Sequence, residues 1–434
     1  MKINLILPPN PVLQSPLMEA PLGPLYLASV LKENGHDVSV TDMRADREPN
    51  MSLIPDGCEI YGVTATTAEY NDARNISTFL NKKNPESLLV IGGAHVTYDW
   101  KSTLENTMFQ VAVIGEGEIT ISELADATDM FGIKGIAFKT GESRQRPRIH
   151  KNTPRPLIED LDSIPFPDRE VLPYDKIFTT DLYYGARYGH GEVATSVITE
   201  RGCPYYCSYC ANWDRTLRFR SVENVVKEIE VCKENYNCHK FRFIDDEWGI
   251  GQPRSMDLLE ALAGLDIHFR AHTRSDVVDL ELLQAMKKAG CDEISFGVET
   301  ADDEVLTLLN KRETVEQHKQ AVMFAKEAGL LVKVYLMTCL PGETWQTVDK
   351  IKAFIEETRP DKWTLSTFIP YPGCDVWKNP ERYGVKILEK DFDKYWLYNE
   401  QSIIETNVAS KEELDQHRAE LWRFLNEYDA SKQL

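Results

Sequence analysis

The hydrophobic pattern of this chain switches between two periods, and it does so in two separate rounds. Short apolar runs rich in branched residues recur at 3–7, 38–41, 60–63, 88–91 and 111–114. Runs of that kind read as buried parallel strands. Helix-period stretches fill the gaps, at 25–32 with Gly35 placed as a left-handed cap, and from about 68 to 82. Strand–helix alternation in units of roughly 25 to 30 residues predicts a parallel sheet covered on both faces. A proline-rich stretch follows (Pro147, Pro154, Pro156, Pro165, Pro167, Pro173), and then the alternation resumes, with candidate strands at 195–199, 240–244, 267–271, 293–296, 331–337 and 363–368. In the first helix of that round Val222, Val225, Val226, Ile229 and Cys232 share one apolar face. Six βα units predict a barrel or partial barrel, with active-site groups at the strands' carboxyl ends.

The expected fold class is therefore α/β. A Rossmann-like doubly wound parallel sheet spans 1–140, an irregular linker 141–190, and a partial (β/α)6 TIM-type barrel 191–385. A short helical, aromatic-rich cap at 386–434 (Tyr395, Trp396, Tyr398, Trp422) completes the chain. Its 434 residues suit two or three domains. The formal net charge of −20 argues against sequence-independent binding to nucleic acid or anionic membranes, which needs a basic surface. No apolar run approaches the ~18 residues of a membrane span, and the opening residues lack a cleavage-site pattern. Nine cysteines, few and clustered, do not make a disulfide scaffold; the expected location is the cytoplasm, with thiols reduced and available to metal.

Ligands of open α/β sheets sit outside the strands' carboxyl ends. In the first round those ends carry Thr64-Ala65-Thr66-Thr67, Gly92-Gly93-Ala94-His95 and Gly115-Glu116-Gly117-Glu118. Any one of these can be only a tight turn; several on one edge favour a binding site.

The second round opens on Thr199-Glu200-Arg201-Gly202-Cys203-Pro204-Tyr205-Tyr206-Cys207-Ser208-Tyr209-Cys210. Three cysteines spaced by three and then two residues can converge on one inorganic cluster. Three thiolates on a cube of four irons leave one iron open to a chelating substrate. A structural zinc site is the competing reading; it needs a fourth ligand, from His190, Cys232, Cys238 or His239. Cys232 lies on an apolar helix face, and Cys58, Cys291, Cys339 and Cys374 are isolated, as small buried residues are.

The Cys-x3-Cys-x2-Cys run after a first barrel strand, with Tyr209 before the third cysteine, resembles the radical S-adenosylmethionine (SAM) enzymes. The resemblance implies that Cys203, Cys207 and Cys210 hold a [4Fe–4S] cluster whose fourth iron binds SAM. One electron then splits SAM to a 5′-deoxyadenosyl radical. Polar clusters at the later strand ends match the same pattern. By similarity the Asp245-Asp246 loop lies near the SAM amino group, and Arg274 and Glu299 (with Gly297 beside it) near its carboxylate or ribose. The Pro341-Gly342-Glu343 turn would lie near its adenine. Singly, Asp245 can be a solvated turn residue and Glu343 a helix cap.

The first round, with its glycine loops and the connector Leu161-Asp162-Ser163-Ile164-Pro165-Phe166-Pro167-Asp168-Arg169, is similar to the class carrying an N-terminal cobalamin (B12)-binding domain. The cobalamin contacts implied are Thr64, Thr66, Gly92, Gly93, His95, Gly115, Glu116 and Gly117. One departure stands out: where many cobalamin proteins carry Asp-x-His-x-x-Gly, this chain reads Asp42-Met43-Arg44-Ala45-Asp46-Arg47, without the axial histidine. The activity implied is methyl transfer from methylcobalamin to an unactivated carbon of a small molecule. The alternatives are a radical SAM cyclase or rearrangement oxidoreductase of the same architecture and a zinc-stabilised binding protein. An electron donor such as flavodoxin or ferredoxin is the expected partner. Tyr183, Tyr184, Tyr188 and Tyr205 are candidates for shaping the substrate pocket, with ordinary interface packing the favoured reading.

Overall fold

The computed structural model describes residues 1–10, 16–141, 148–180 and 193–432. Tyr183, Tyr184, Tyr188 and His190 lie outside them. The chain divides into two compact units, Met1–Thr195 and Ser196–Leu434.

In the first unit β1 (Lys2–Leu7), β2 (Asp37–Asp42), β3 (Ile60–Thr64), β4 (Leu88–Gly92) and β5 (Val111–Val113) pair in parallel in the order β2-β1-β3-β4-β5. Their sequence alternates between two apolar clusters. Leu5, Ile60, Val90 and Val111 belong to one, and Ile6, Val63, Ile91 and Ala112 to the other. Successive strand side chains point to opposite faces, so both faces are buried, as the unbroken apolar runs require. The sheet is not wholly parallel. β6 (Ile136–Thr140) and β7 (Arg148–Lys151) continue it antiparallel, so part of the stretch expected as irregular linker is a strand. Hairpin return needs no crossover helix, and the weak alternation of 148–151 left it unread.

In the second sheet β8 (Thr179–Thr180), β9 (Val193–Val197), β12 (Lys240–Phe243), β13 (His268–Thr273), β14 (Cys291–Glu299), β15 (Leu331–Thr338) and β16 (Lys362–Thr367) run in the order β16-β15-β14-β13-β12-β9-β8. Its end strands do not pair with each other, so the barrel is open. β12 through β16 are parallel. Phe241, Phe243, Phe269, Phe296, Val334 and Leu336 are fully buried in these strands. β10 (Glu200–Arg201) and β11 (Arg218–Phe219) form a separate short antiparallel pair at the end of β9.

The last residues are not simply helical. β17 (Val385–Ile387) and β18 (Ile404–Thr406) pair antiparallel before the helix Lys411–Ser431, which Ser410 and Glu413 close with a capping box. No helix among the described residues is long and apolar enough to cross a membrane.

Candidate active site

The cysteine loop is shaped by its backbone. Gly202 sits at φ +88°, and a Cβ there would strike the carbonyl oxygen of Thr216, so only glycine brings the chain through at this point. Beyond it, the Cys203 amide donates to Asp214 O at 3.0 Å, the Ser208 amide to Leu309 O at 2.8 Å and the Cys210 amide to Cys207 O at 3.0 Å. The Asn212 amide donates to Cys210 Sγ at 3.4 Å.

Cys203, Cys207 and Cys210 are the three partly exposed cysteines; the other six are buried, and all nine are free thiols. Burial pushes the Cys203 thiol up to about 12 and raises that of Cys210, and the neighbouring thiols add to both effects. Three partly exposed thiols on one short loop, with an N–H aimed at one of them, suit an iron–sulfur centre. Among the described residues no group of three His, Cys, Asp or Glu side chains is gathered to hold a metal ion. Cys232 and Cys238 are buried and His239 bonds the Asp266 carbonyl at 3.1 Å, so the zinc reading finds no fourth ligand in them.

The residues singled out at the strand ends divide into two sets. Asp245 is turned inward: its carboxylate accepts from the amides of Thr199 (2.5 Å) and Glu200 (2.9 Å) and from Thr199 Oγ1 (3.0 Å). Asp246 accepts from the Gly202 amide at 3.1 Å, which ties β12's end to the cysteine loop. Glu343 is fully buried and accepts from Thr338 Oγ1 (3.0 Å) and the Leu340 amide (3.3 Å), with His417 Nδ1 at 3.1 Å. It therefore braces its own turn and the last helix. In that turn Pro341 is buried, and Gly342 takes φ +81° with Leu308 Cδ2 at 2.9 Å from where a Cβ would sit.

Glu299, by contrast, ends β14 in a left-handed conformation (φ +64°). Its Oε1 faces Tyr209 Oη at 3.4 Å and Lys311 Nζ at 3.5 Å. A Cβ on Gly297 would lie 2.8 Å from that oxygen, so the glycine makes room for the carboxylate. Arg274 is buried and forms a bidentate pair with Asp276, both contacts at 2.8 Å. This departs from the expected role: the fork that would clasp a SAM carboxylate is taken.

Sequence reasoning missed three groups. Glu247 is buried, accepts from the Arg274 amide (2.6 Å) and Thr273 Oγ1 (3.0 Å), and burial raises its carboxyl to about 7. The Glu200 side chain is buried with neither oxygen hydrogen-bonded and Arg254 Nη1 at 4.0 Å; burial, then Asp245, push its carboxyl well above the usual carboxylate range. Lys311 and Glu313 pair at 3.1 Å inside the unit. The charged run Lys311-Arg312-Glu313 between two helices was their only signal.

In the first unit Thr64, Gly92, Gly93, Gly115, Glu116 and Gly117 are partly exposed and Thr66 is exposed, at the carboxyl ends of β3, β4 and β5. Gly93 has φ +102°, and a Cβ would lie 2.7 Å from Ala65 O. The loop after β4 is thus pressed against the loop after β3, and its glycine has a structural reason. Glu116 accepts from the Ile158 amide at 2.7 Å. His95 differs from its neighbours. Its ring is buried, bonded through Nδ1 to Thr67 Oγ1 at 3.1 Å and packed 4.4 Å from Tyr70, and burial lowers it to about 4. After β2, Asp42 is clasped by Arg44 through both oxygens (3.0 and 2.9 Å), with Lys176 Nζ at 3.8 Å.

An open parallel half-barrel with three accessible thiols at its first strand's exit, preceded by a parallel sheet with a glycine-rich edge, defines a two-module metallocofactor enzyme. The radical SAM superfamily model matches residues 197–355 and the B12 binding domain model residues 12–125. An uncharacterized methyltransferase of Pyrococcus horikoshii is 32% identical over 398 residues, 87% of this chain and 83% of that protein. The anaerobic magnesium-protoporphyrin IX monomethyl ester cyclase of Rubrivivax gelatinosus is 29% identical over 392 residues, covering 85% of this chain and 67% of its own length. In fold, the chain resembles the radical SAM methyltransferase TsrM of Kitasatospora setae (TM-score 0.74, 19% identity), over 97% of this chain and 88% of that one. The chain belongs to the radical SAM superfamily, in the class with an N-terminal B12-binding domain.

Proposed function

We propose that this protein is a cobalamin-dependent radical SAM methyltransferase acting on an unactivated carbon of a small molecule. The observation that carries the reading is the set of three partly exposed thiols, Cys203, Cys207 and Cys210, at the exit of β9 in a chain that also carries a B12-binding unit. When bound, the [4Fe–4S] cluster supplies an electron, SAM a hydrogen-abstracting radical and cobalamin a transferable methyl group.

The chain's own part is to hold and orient. Cys203, Cys207 and Cys210 would hold the cluster through three of its irons, and the fourth would be open to SAM. Asp246, Tyr209, Gly297, Glu299 and the Pro341-Gly342 turn face the nucleotide. Asp245 and Glu343, whose oxygens are occupied by protein donors, keep that shell rigid. Thr64, Thr66, Gly92, Gly93, Gly115, Glu116 and Gly117 hold the cobalamin. His95 supports the loop from beneath, its ring being buried. Asp42 is held by Arg44, and no histidine stands at Asp42-Met43-Arg44-Ala45-Asp46-Arg47. The enzyme works in the cytoplasm with a one-electron donor such as flavodoxin or ferredoxin, and binds neither nucleic acid nor membrane.

Anaerobic purification and reconstitution test this. The expected protein holds four irons and one cobalamin and forms both S-adenosylhomocysteine and 5′-deoxyadenosine. Deoxyadenosine alone would overturn methyl transfer and favour ring formation, the reaction named for the Rubrivivax relative. Alanine at Cys203, Cys207 or Cys210 removes iron and SAM cleavage; iron retained in all three variants overturns the cluster assignment.

A further inference from the structure

Arg274 touches the cysteine loop twice. Its guanidinium lies over the Tyr205 ring, 3.7 Å from the centroid, and its Nη1 is 3.9 Å from Cys207 Sγ. Tyr205 and Cys207 both belong to the segment that starts at Cys203. The rest of the guanidinium is anchored away from that loop. Nε and Nη2 clasp Asp276, and Nη1 donates to the Lys311 carbonyl at 3.0 Å with Glu313 Oε2 at 3.4 Å.

The carbonyl of Lys311 is held in place by its neighbours. Asn310 (φ +52°) and Arg312 (φ +58°) are both left-handed non-glycine residues. Such backbone persists where the surroundings over-determine it. Here Asn310 Nδ2 donates to the Tyr206 carbonyl at 2.7 Å and Lys311 Nζ pairs with Glu313 and Glu299. The segment 310–313 therefore grips the cysteine loop from one side and aims Arg274 at it from the other.

We propose that Arg274 is a positioning residue of the iron–sulfur centre rather than of SAM: it fixes the loop through Tyr205 and directs one N–H at the thiolate of Cys207. This rests on the reading that the three cysteines hold the cluster. A donor aimed at a cluster sulfur stabilises the negative charge added on reduction, so it raises the potential. Asp276 and Glu313 offset much of the charge, which leaves the effect of one directed N–H, on the order of tenfold in the reduced-to-oxidised ratio.

The test uses the full-length, reconstituted protein without SAM, with Arg274→Gln and Arg274→Lys compared with wild type. An EPR-monitored redox titration reads the cluster potential, and iron content and SAM affinity are measured alongside. At the wild-type midpoint the Gln variant's cluster is expected to be about tenfold less reduced, a shift of ~59 mV for one electron. The Lys variant falls between, and SAM affinity changes less than twofold in both. An unchanged potential in an iron-loaded variant overturns the proposal, and a large loss of SAM affinity with that potential returns Arg274 to the nucleotide. Should the Gln variant lose its cluster, the Lys variant decides: an unshifted potential there overturns the proposal. Failure of the underlying reading shows elsewhere, as iron retained in the three cysteine variants.

Discussion

Gly202→Ala is the sharpest probe of how the cysteine loop is built. The new Cβ falls on the Thr216 carbonyl oxygen, with the Thr216 carbonyl carbon at 2.8 Å and Asp214 Cγ at 3.1 Å. The atoms in the way are backbone on one side and, on the other, a carboxylate pinned by Arg218 and by the Thr216 amide (3.0 Å). Neither is a flexible side-chain end that can swing aside. A left-handed φ in alanine costs roughly 1–2 kcal/mol, and overpacking a fixed contact about 1–3 kcal/mol. Their midpoints together come to about 3.5 kcal/mol, a fall of roughly 7–14 °C in the unfolding temperature of a unit of 150–250 residues. Because Cys203 is the next residue, iron content falls with it. Gly264→Ala is the control: nothing lies within 4 Å of its Cβ and its φ is ordinary. That change is neutral or slightly stabilising. Calorimetry and iron analysis of the two variants decide the matter. A Gly202→Ala protein that melts with the Gly264→Ala protein and holds four irons would refute the reasoning.

Three further outcomes are expected. In the first unit the fold favours the neutral ring of His95, whose native value near 4 lies below its unfolded value of 6.5. The stability it contributes is fully present above pH 6.5 and is lost as pH falls from 6.5 to 4, to a limit of about 3 kcal/mol. His95→Gln keeps a partner for Thr67 but does not titrate, so its denaturant midpoint should change less than wild type's between pH 6.5 and 4; parallel profiles would contradict this. Arg44→Met removes the guanidinium from buried Asp42 and leaves it the residue-44 amide at 3.0 Å and Lys176 Nζ at 3.8 Å, and should destabilise by about 3–5 kcal/mol in urea unfolding at pH 7. His417→Ala removes the last helix's link to Glu343 and the edge contact of its ring with Trp345. A loss of about 1–3 kcal/mol and weaker SAM binding are expected, the latter read by equilibrium dialysis; unchanged affinity would mean the Pro341–Glu343 turn does not face the nucleotide.

The strands of the first sheet were legible because short apolar stretches such as Leu88–Gly92 and Val111–Val113 stand out without tertiary knowledge; those of the second, such as Lys-Phe-Arg-Phe in β12, were found by their recurrence between helix-period stretches. β6 and β7 were harder: β7 reads Arg-Ile-His-Lys with one apolar residue, and nothing local announces a hairpin return. The cysteine spacing pointed to the cluster, but side-chain direction is not written in spacing. Asp245, Asp246 and Glu247 are consecutive, yet they face the β9 exit, Gly202 and the Arg274 amide respectively. Which carboxylate turns inward is decided by amides from distant segments, and a linear reading cannot supply them. The same holds for His95: its place among glycine loops suggests a ligand contact, while Tyr70 and Thr67, more than twenty residues upstream, bury it.

These carboxylates and cations suggest why a site for a charged nucleotide is so heavily braced. A cluster whose charge changes by one unit needs partners that do not reorganise, since any donor free to swing would spend its stabilisation on reordering. Arg274 and Lys311 are each fixed by a contact remote from the cysteine loop, to Asp276 and Glu313 respectively, and Asp246 is tied directly to the loop through the Gly202 amide. Glu299 is fixed least, with long contacts of 3.4 and 3.5 Å to Tyr209 and Lys311. It holds its left-handed backbone at φ +64° without the side-chain oxygen being fully engaged. A strained residue with spare acceptor capacity at a strand's carboxyl end is where a ligand donor is expected to complete the set. Glu299→Gln should therefore weaken SAM binding by about tenfold or more while leaving iron content and melting temperature near wild type. Equal loss of both would mean that the carboxylate serves Lys311 and the fold instead of the nucleotide.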